Sequence, residues 1–282
     1  MQLLIELIKS AVYGVLEGIT EWLPISSTGH LILLEQILPL GVSDAFYEMF
    51  DVVIQLGASL AVLGLYLKVL LPKFRGTGNG GFFRCDENRR TFSLWGKIIV
   101  AVLPSAVIGL LFDDWFDEHF YNPQTVAVTL ALYGVLYIII ELCGKNRKPA
   151  VTDLNSISYG RAFGMGLFQV LALVPGTSRS GSTILGGLLL GYSRPCAAEM
   201  SFFLALPTML GASALKAVKF FLDGNTVSAG DVLVLIVGCV VSYLVSVIAI
   251  RFLMGFVKKH TFIPFGIYRI LLALLVLVFL CR

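Results

Sequence analysis

The sequence predicts an all-α integral membrane protein, and three observations carry that expectation. Hydrophobic residues make up 57% of the 282 residues. Charged residues make up only 14%, against about 25% in a soluble globular domain, and the mean hydropathy is +0.87. Six apolar runs are each long enough to cross a bilayer, which takes about 20 residues. This composition excludes disorder, coiled coil, collagen-like repeats and nucleic-acid binding. A soluble fold could not cover so much apolar surface. The net charge of +3 informs only through its distribution.

In chain order, the first element is a broken apolar region at roughly 1–40, interrupted at Pro24-Ile25-Ser26-Ser27-Thr28-Gly29. Spans follow at about 44–70, 94–112 and 123–142. A second broken region, roughly 158–192, is interrupted at Pro175-Gly176-Thr177-Ser178-Arg179-Ser180-Gly181, and spans follow at about 196–222, 230–254 and 262–281. The spans lack a strong period of two and must satisfy their own backbone, so they read as helices. Each flank of a break is only about 12–20 residues, which suits half of a re-entrant helical hairpin. The alternative is two full spans joined by a polar loop outside the membrane. Glu6 and Lys9 inside the first apolar stretch, with no charged segment before it, argue against a signal peptide. Cys85, Cys143, Cys196, Cys239 and Cys281 lack CxxC spacing and read as free thiols.

The two broken regions resemble each other. Gly14-Val15-Leu16-Glu17 faces Gly166-Leu167-Phe168-Gln169, and Ser26-Ser27-Thr28-Gly29 faces Ser178-Arg179-Ser180-Gly181. Glu48-Met49 then faces Glu199-Met200, and Leu56-Gly57-Ala58-Ser59 recurs as Leu210-Gly211-Ala212-Ser213. The chain therefore divides into repeats at 1–142 and 143–282 within one polytopic membrane domain. Each half holds one hairpin and three spans. Three is odd, so the second half starts on the opposite face, which makes an inverted-topology repeat. Charge orients it. The loops at about 70–93, 143–161 and 255–261 carry Lys73, Arg75, Arg84, Arg89, Arg90, Lys145, Arg147, Lys148, Arg161, Lys258 and Lys259. The loops at about 113–122 and 223–230 carry Asp113, Asp114, Asp117, Glu118 and Asp223. The positive-inside rule makes the first set cytoplasmic, with both termini and the first hairpin facing outward. Lys216 and Lys219, near the outer end of their span, run against this.

Polar residues at membrane depth mark the candidate site. A charge at the bilayer centre costs roughly 2.5–3.5 kcal/mol, so such groups are usually paired, hydrated or functional. Glu17 and Glu21 share a helix face about 6 Å apart. Two carboxylates there require a proton or a cation between them. A divalent metal, an arginine or a general-base role would each answer, as would a solvated helix end. Oxygen ligands favour Mg²⁺ or Ca²⁺, completed by water or phosphate. Ser26 and Ser27 lie four and three residues before His30, so either hydroxyl could reach the imidazole and become a stronger nucleophile. Both serines also suit ordinary helix caps.

The second break is the stronger signal. Its glycines, the hydroxyls of Thr177, Ser178, Ser180, Ser182 and Thr183, and the start of the next helix build an anion site. Arg179 adds a planar fork suited to phosphate oxygens. The plainer alternative is a capped turn with an interfacial arginine. Arg269 lies inside the last span, where it could pair with an acid, touch a headgroup or snorkel. Asp51 and Gln55, four residues apart, are candidates to line the same cavity. Glu48 and Glu199 need only helix-end electrostatics. A carboxylate pair, a hydroxyl with an imidazole, and an arginine-bearing cradle in an apolar shell fit a phosphate or diphosphate on a long apolar tail.

At Glu17-Gly18-Ile19-Thr20-Glu21-Trp22-Leu23-Pro24-Ile25-Ser26-Ser27-Thr28-Gly29-His30 and Pro175-Gly176-Thr177-Ser178-Arg179-Ser180-Gly181, the chain resembles the bacterial undecaprenyl-diphosphate phosphatases, the bacitracin-resistance proteins. The resemblance covers essentially the whole chain. It implies hydrolysis of undecaprenyl diphosphate to undecaprenyl phosphate and inorganic phosphate in the bacterial plasma membrane, with the active site facing outward. It further implies Glu17 and Glu21 as metal ligands or acid–base groups, and Ser27, or else Ser26, as nucleophile or phosphate-positioning hydroxyl. His30 is then partner base or leaving-group acid, and Arg179 the diphosphate ligand. Ser26, Thr28, Thr177, Ser178, Ser180 and Thr183 would contact phosphate. The partners it implies are the polyprenyl diphosphate and membrane lipids, with a homodimer left open. A secondary transporter or lipid flippase is the other reading, suggested by the repeat and the broken helices. A structural membrane subunit would leave the polar cluster unexplained.

Overall fold

The computed structural model describes residues 1–73, 86–145 and 147–280, apart from the side chains of Asp113 and Asp117. Arg75, the glycine-rich stretch 76–81, Arg84, Cys85 and Cys281 lie outside the described residues. Among the described residues the secondary structure is helical, apart from one isolated bridge between Val151 and Tyr192. The first broken region is α1 (Gln2–Thr20) and α2 (Ser27–Ile37). Then come α3 (Asp44–Leu70), α4 (Asp86–Phe120) and α5 (Pro123–Gly144). The second broken region is α6 (Tyr159–Val170) and α7 (Arg179–Leu189), followed by α8 (Arg194–Leu222), α9 (Ala229–Val257) and α10 (Ile263–Leu280).

Six of these helices, α3, α4, α5, α8, α9 and α10, are long and apolar enough to cross a membrane. By contrast α2, α6 and α7 have 11, 12 and 11 residues, so none reaches much beyond half of a hydrocarbon core about 30 Å thick. The expected span at 94–112 begins earlier, at Asp86. Its extra turns carry Asp86, Glu87, Arg89 and Arg90, which are too polar for an apolar run but include acids that suit a helix start. Leu110, Leu111, Ile248 and Phe279 are each 69% exposed. That outward apolar shell suits a multi-pass membrane protein, in which lipid covers it.

Small residues bring the helices close. A Cβ on Gly14 or Gly18 of α1 would sit 2.6 or 2.7 Å from the carbonyl oxygens of Gly238 or Ser242 on α9. This is the small-xxx-small packing of membrane helices. Likewise Gly166 of α6 rests on the Ala101 carbonyl of α4. Each broken helix therefore packs on a spanning helix from the other half. Gly134 of α5 and Gly266 of α10 approach each other's carbonyls, with 2.7 Å left for an added Cβ on either side. The core between them includes Trp22, Tyr137, Phe202 and Phe203, all fully buried.

Candidate active site

Both breaks use the same backbone device. Ser26 caps α2 at φ 74° and accepts from the Gly29 N–H at 3.4 Å. Ser178 caps α7 at φ 71° and accepts from the Gly181 N–H at 3.1 Å. Positive φ is costly for serine, and such strain collects at functional sites. The caps turn the starts of two short helices towards the region between the breaks.

Arg179 joins them. Its Nε and Nη2 donate to Glu21 Oε1 at 3.1 and 2.8 Å, and its Nη1 donates to the Ser201 carbonyl at 2.7 Å. The guanidinium lies 5.8 Å from the centre of the Trp22 ring, which packs edge-on against Phe202. The pair is nearly dry, with side chains 7% and 5% exposed. The other Glu21 oxygen, Oε2, accepts from Ser27 Oγ at 3.2 Å, and Ser180 Oγ donates to the Glu21 carbonyl at 2.8 Å. One glutamate thus links the hydroxyl of the first break to the arginine of the second.

The expected hydroxyl–imidazole pair is not formed. His30 donates from Nδ1 to the Ser26 carbonyl at 2.6 Å, and its Nε2 meets the Tyr268 hydroxyl at 2.7 Å. The spacing rule that joined Ser26 to His30 assumes a helix through Ser26, and the positive φ there breaks it. Glu17 is fully buried, and neither carboxylate oxygen has a hydrogen-bond partner among the described residues. It interacts electrostatically with Glu21, Asp51 and Arg179. Of the expected carboxylate pair, then, Glu21 is neutralised by an arginine while Glu17 has no counter-charge bonded to it.

The remaining candidates divide. Ser180 joins the bridge, Thr183 Oγ1 bonds the Arg179 carbonyl at 2.8 Å and Ser201 Oγ at 2.6 Å, and Ser178 Oγ lies 3.3 Å from Ser180 Oγ. Ser182 bonds the Phe168 carbonyl behind the loop. Thr28 is half-buried on the first turn of α2. Thr177 is buried, and its carbonyl accepts from Arg269. Arg269 is fully buried and takes none of the three expected roles. It donates to the carbonyls of Gly176 at 2.8 Å, Thr177 at 2.9 Å, Pro24 at 3.4 Å and Leu130 at 3.4 Å. It ties the two breaks together from beneath.

A cavity of about 340 Å³ reaches Arg179. Gln55, Gln169 and Lys216 are its other long polar residues, and Val52, Val102, Leu173 and Leu215 are among its walls. Gln55 therefore lines it as expected. Asp51 is not among its lining residues, and one of its oxygens is buried without a hydrogen-bond partner among the described residues. Gln169, which faces Glu17 in the repeat, donates to Ser105 Oγ at 2.6 Å and to Thr208 Oγ1 at 3.1 Å. Sequence reasoning missed Ser201 and Tyr268. Ser201 takes Arg179 through its backbone carbonyl, a contact that carries no residue identity, while its hydroxyl meets Thr183. Tyr268, beside Arg269 in the last span, was there to be found as a polar residue at depth.

Fold and centre together define a polytopic helical membrane protein that buries an acid–hydroxyl–guanidinium centre between two broken helices. The family described as bacitracin resistance protein BacA matches residues 10–275, and the chain belongs to it. A Streptococcus thermophilus protein named undecaprenyl-diphosphatase is 51% identical over 276 residues, covering 98% of this chain and 94% of its own length. Proteins of the same name from Streptococcus pyogenes and Enterococcus faecalis are 50% and 52% identical, covering 98% and 94% of this chain and 97% and 94% of their own.

Proposed function

We propose that the protein hydrolyses undecaprenyl diphosphate to undecaprenyl phosphate and inorganic phosphate, recycling the lipid carrier of wall-polymer synthesis and conferring bacitracin resistance. The observation that carries this reading is the Glu21 carboxylate, bonded to Arg179 on one oxygen and to the Ser27 hydroxyl on the other. Ser27 Oγ attacks the terminal phosphorus, Glu21 takes its proton, and the bridging P–O bond breaks to release undecaprenyl phosphate. Water then hydrolyses the phosphoserine. Three of the five guanidinium N–H groups of Arg179 are engaged. The other two remain for phosphate oxygens, where they stabilise charge developing in the transition state. The apolar walls of the cavity at Arg179 suit the polyprenyl tail. His30 is bonded at both nitrogens, so to serve the leaving oxygen it must exchange Tyr268 for substrate.

The unpaired oxygens of Glu17 fit a divalent cation, Mg²⁺ or Ca²⁺. Glu17, with Glu21 one helical turn further on, would hold the ion. Water and substrate phosphate oxygens would have to supply the rest of the set, since no third acid, His or Cys joins them among the described residues. When bound, the ion would offset the charge of the diphosphate.

We read the architecture as an inverted-topology repeat in the bacterial plasma membrane. The exchange of partners, α1 on α9 and α6 on α4, supports it, as do the matched serine caps. The active site and both termini then face outward and the basic loops face the cytoplasm. Lys219, which ran against this orientation, bonds Asp114 at 2.9 Å, and that pairing offsets its charge.

The test is phosphate release from undecaprenyl diphosphate by the purified protein in detergent, with and without chelator, beside Arg179→Ala and Ser27→Ala. Release that both variants lose and that Mg²⁺ or Ca²⁺ restores after chelation is the expected result. Full activity in Ser27→Ala moves the attack to a water activated by Glu21. No release from a folded preparation that still binds the lipid favours a transporter.

A further inference from the structure

A second cavity, of about 480 Å³, lies away from the breaks. Thr129 on α5 bonds the Pro175 carbonyl of the second break, and the cavity begins at Ile139 on the same helix, about 15 Å further along. It sits where α5 and α9 end, the level of membrane headgroups. Lys145, Arg147, Lys148 and Lys258 line it, and all four are exposed. Its acid, Glu141, is already neutralised: Arg194 grips both carboxylate oxygens at 2.8 and 2.5 Å, and the Phe262 N–H adds a bond at 3.0 Å. The other four cations therefore have no further acid among the lining residues.

Two further features make this a built site. Tyr192, 3% exposed, is one of the lining residues, and its buried hydroxyl has no hydrogen-bond partner among the described residues. A buried donor with no acceptor is a costly arrangement that a ligand oxygen would relieve. The floor is held by backbone: Ala150 and Val151 N–H donate to the Gly191 carbonyl at 2.8 and 3.0 Å, and the Ser193 N–H donates to Val151 at 2.7 Å. Ile139, Leu188, Leu189 and Val257 give it an apolar wall.

We propose that this cavity binds a phosphate headgroup carried on an apolar tail. The cations and the Tyr192 hydroxyl take the phosphate, and the tail leaves along the apolar wall into the membrane. Basic pockets between spanning helices recognise anionic lipids in this way. The chemistry admits two sources, an anionic phospholipid of the membrane or a polyprenyl monophosphate. The site serves neither Glu21 nor Arg179 directly, so the proposal stands apart from the hydrolytic reading.

The test is native mass spectrometry on the delipidated full chain in detergent. The probes are phosphatidylglycerol, phosphatidylcholine, a polyprenyl monophosphate and inorganic phosphate, each at equal concentration. Each basic residue near a membrane surface is worth roughly fivefold in affinity. The wild type should therefore retain a phosphate-bearing anionic lipid at least about tenfold over phosphatidylcholine. The triple variant Lys145→Ala/Arg147→Ala/Lys148→Ala should lose that preference. Tyr192→Phe should weaken it with hydrolysis in detergent unchanged. Preference for phosphatidylglycerol assigns the site to membrane lipid, and preference for the polyprenyl monophosphate assigns it to a carrier lipid; either upholds the proposal. Equal retention of phosphatidylcholine, or a preference that survives both variants, overturns it. Displacement of the lipid by inorganic phosphate at equal concentration also overturns it, since the tail would then contribute nothing.

Discussion

The two breaks share a backbone and divide the chemistry. Each is a short loop ending in a serine at positive φ that caps a helix of 11 residues. The first supplies Glu17, Glu21, Ser27 and His30, and the second supplies Arg179 and hydroxyls. The contrast is sharpest at the matched pair Glu17 and Gln169. Glu17 is a buried carboxylate with neither oxygen bonded among the described residues, while the Gln169 amide nitrogen is bonded to Ser105 and Thr208 and only its oxygen is left without a partner there. A duplicated scaffold thus gives two rigid platforms, and side-chain divergence gives one of them acids and the other a cation. A centre that needs both signs of charge is completed only where the platforms meet.

The largest effect should follow from cutting that meeting point. Arg179→Ala removes the cation of the second break and leaves Glu21 buried and alone. Breaking a buried ion pair from one side costs about 3–5 kcal/mol, so thermal unfolding should move down clearly. Phosphate release should fall by about 10³ or more, since a single preorganised donor is worth roughly 10²–10³. Arg179→Lys should recover part of the stability and little of the activity, because an ammonium cannot bridge Glu21 and Ser201 at once. Equal rates for Lys and Arg would reduce the second break to a point charge.

The matched pair offers the next test. Glu17→Gln should lower turnover by about a hundredfold, because it weakens the hold on the cation proposed to offset the diphosphate charge. It should leave the unfolding temperature level or raised, since a partnerless buried charge disappears. Gln169→Glu should do the opposite, destabilising the fold with a smaller loss of turnover. The Ser105 hydroxyl now donates to Val102 and the Thr208 hydroxyl to Leu204, so each could turn to a buried carboxylate only by giving up that carbonyl bond. If both substitutions act alike on stability and turnover, the two positions are not specialised.

Much of this was legible in the sequence. The spans, the two breaks and the internal match follow from hydropathy, from Pro and Gly placement and from ordered pairs such as Glu48-Met49 and Glu199-Met200. The residues that gather at the centre were also visible, because charges at membrane depth are rare. Their partners were not. The spacing rule joined Ser27 to His30, whereas Ser27 bonds Glu21 and His30 bonds Tyr268. Ser27 and His30 do share the first turn of α2, but helical spacing sets only proximity, and partners from outside the helix, Glu21 and Tyr268, take the two side chains. Ser26 drops out because the rule does not extend through its φ of 74°. Arg269 was seen as a charge without a visible acid, and its partners are carbonyls, which carry no residue identity.

Arg269 gives a third, smaller effect on the same comparison, because it holds the two breaks in register. Arg269→Met and Arg269→Lys should both lower kcat about tenfold or more with KM little changed, as misplacement of reacting groups does. The measurement is turnover per lipid-binding-competent molecule, so that loss of folded protein is not counted as loss of rate. Lys should do no better than Met, since one ammonium cannot reach the Pro24 carbonyl on one break and the Gly176 and Thr177 carbonyls on the other. A Lys variant with wild-type kcat would mean that charge alone matters.

The smallest effect concerns the device that the breaks share. At Ser26 and Ser178 the side chain caps a helix while the backbone sits where glycine is favoured. Ser→Ala should cost each break about 1 kcal/mol by removing the cap and keeping the unfavourable φ. Ser→Gly loses only a few tenths for the cap and relieves strain of order 1–3 kcal/mol, against about 0.5–1 kcal/mol of added chain entropy in the unfolded state. Glycine should therefore be neutral or mildly stabilising at both positions, which thermal unfolding in detergent can resolve. Turnover should separate them. Ser178 Oγ lies 3.3 Å from Ser180 Oγ, which bonds the Glu21 carbonyl, so its loss reaches the centre through hydroxyls. Ser26 reaches it through its carbonyl to His30, which glycine retains. Ser178→Gly should thus be the slower enzyme of the two at similar stability. The reverse order would give Ser26 Oγ a direct part in the reaction, and with it the role assigned to Ser27.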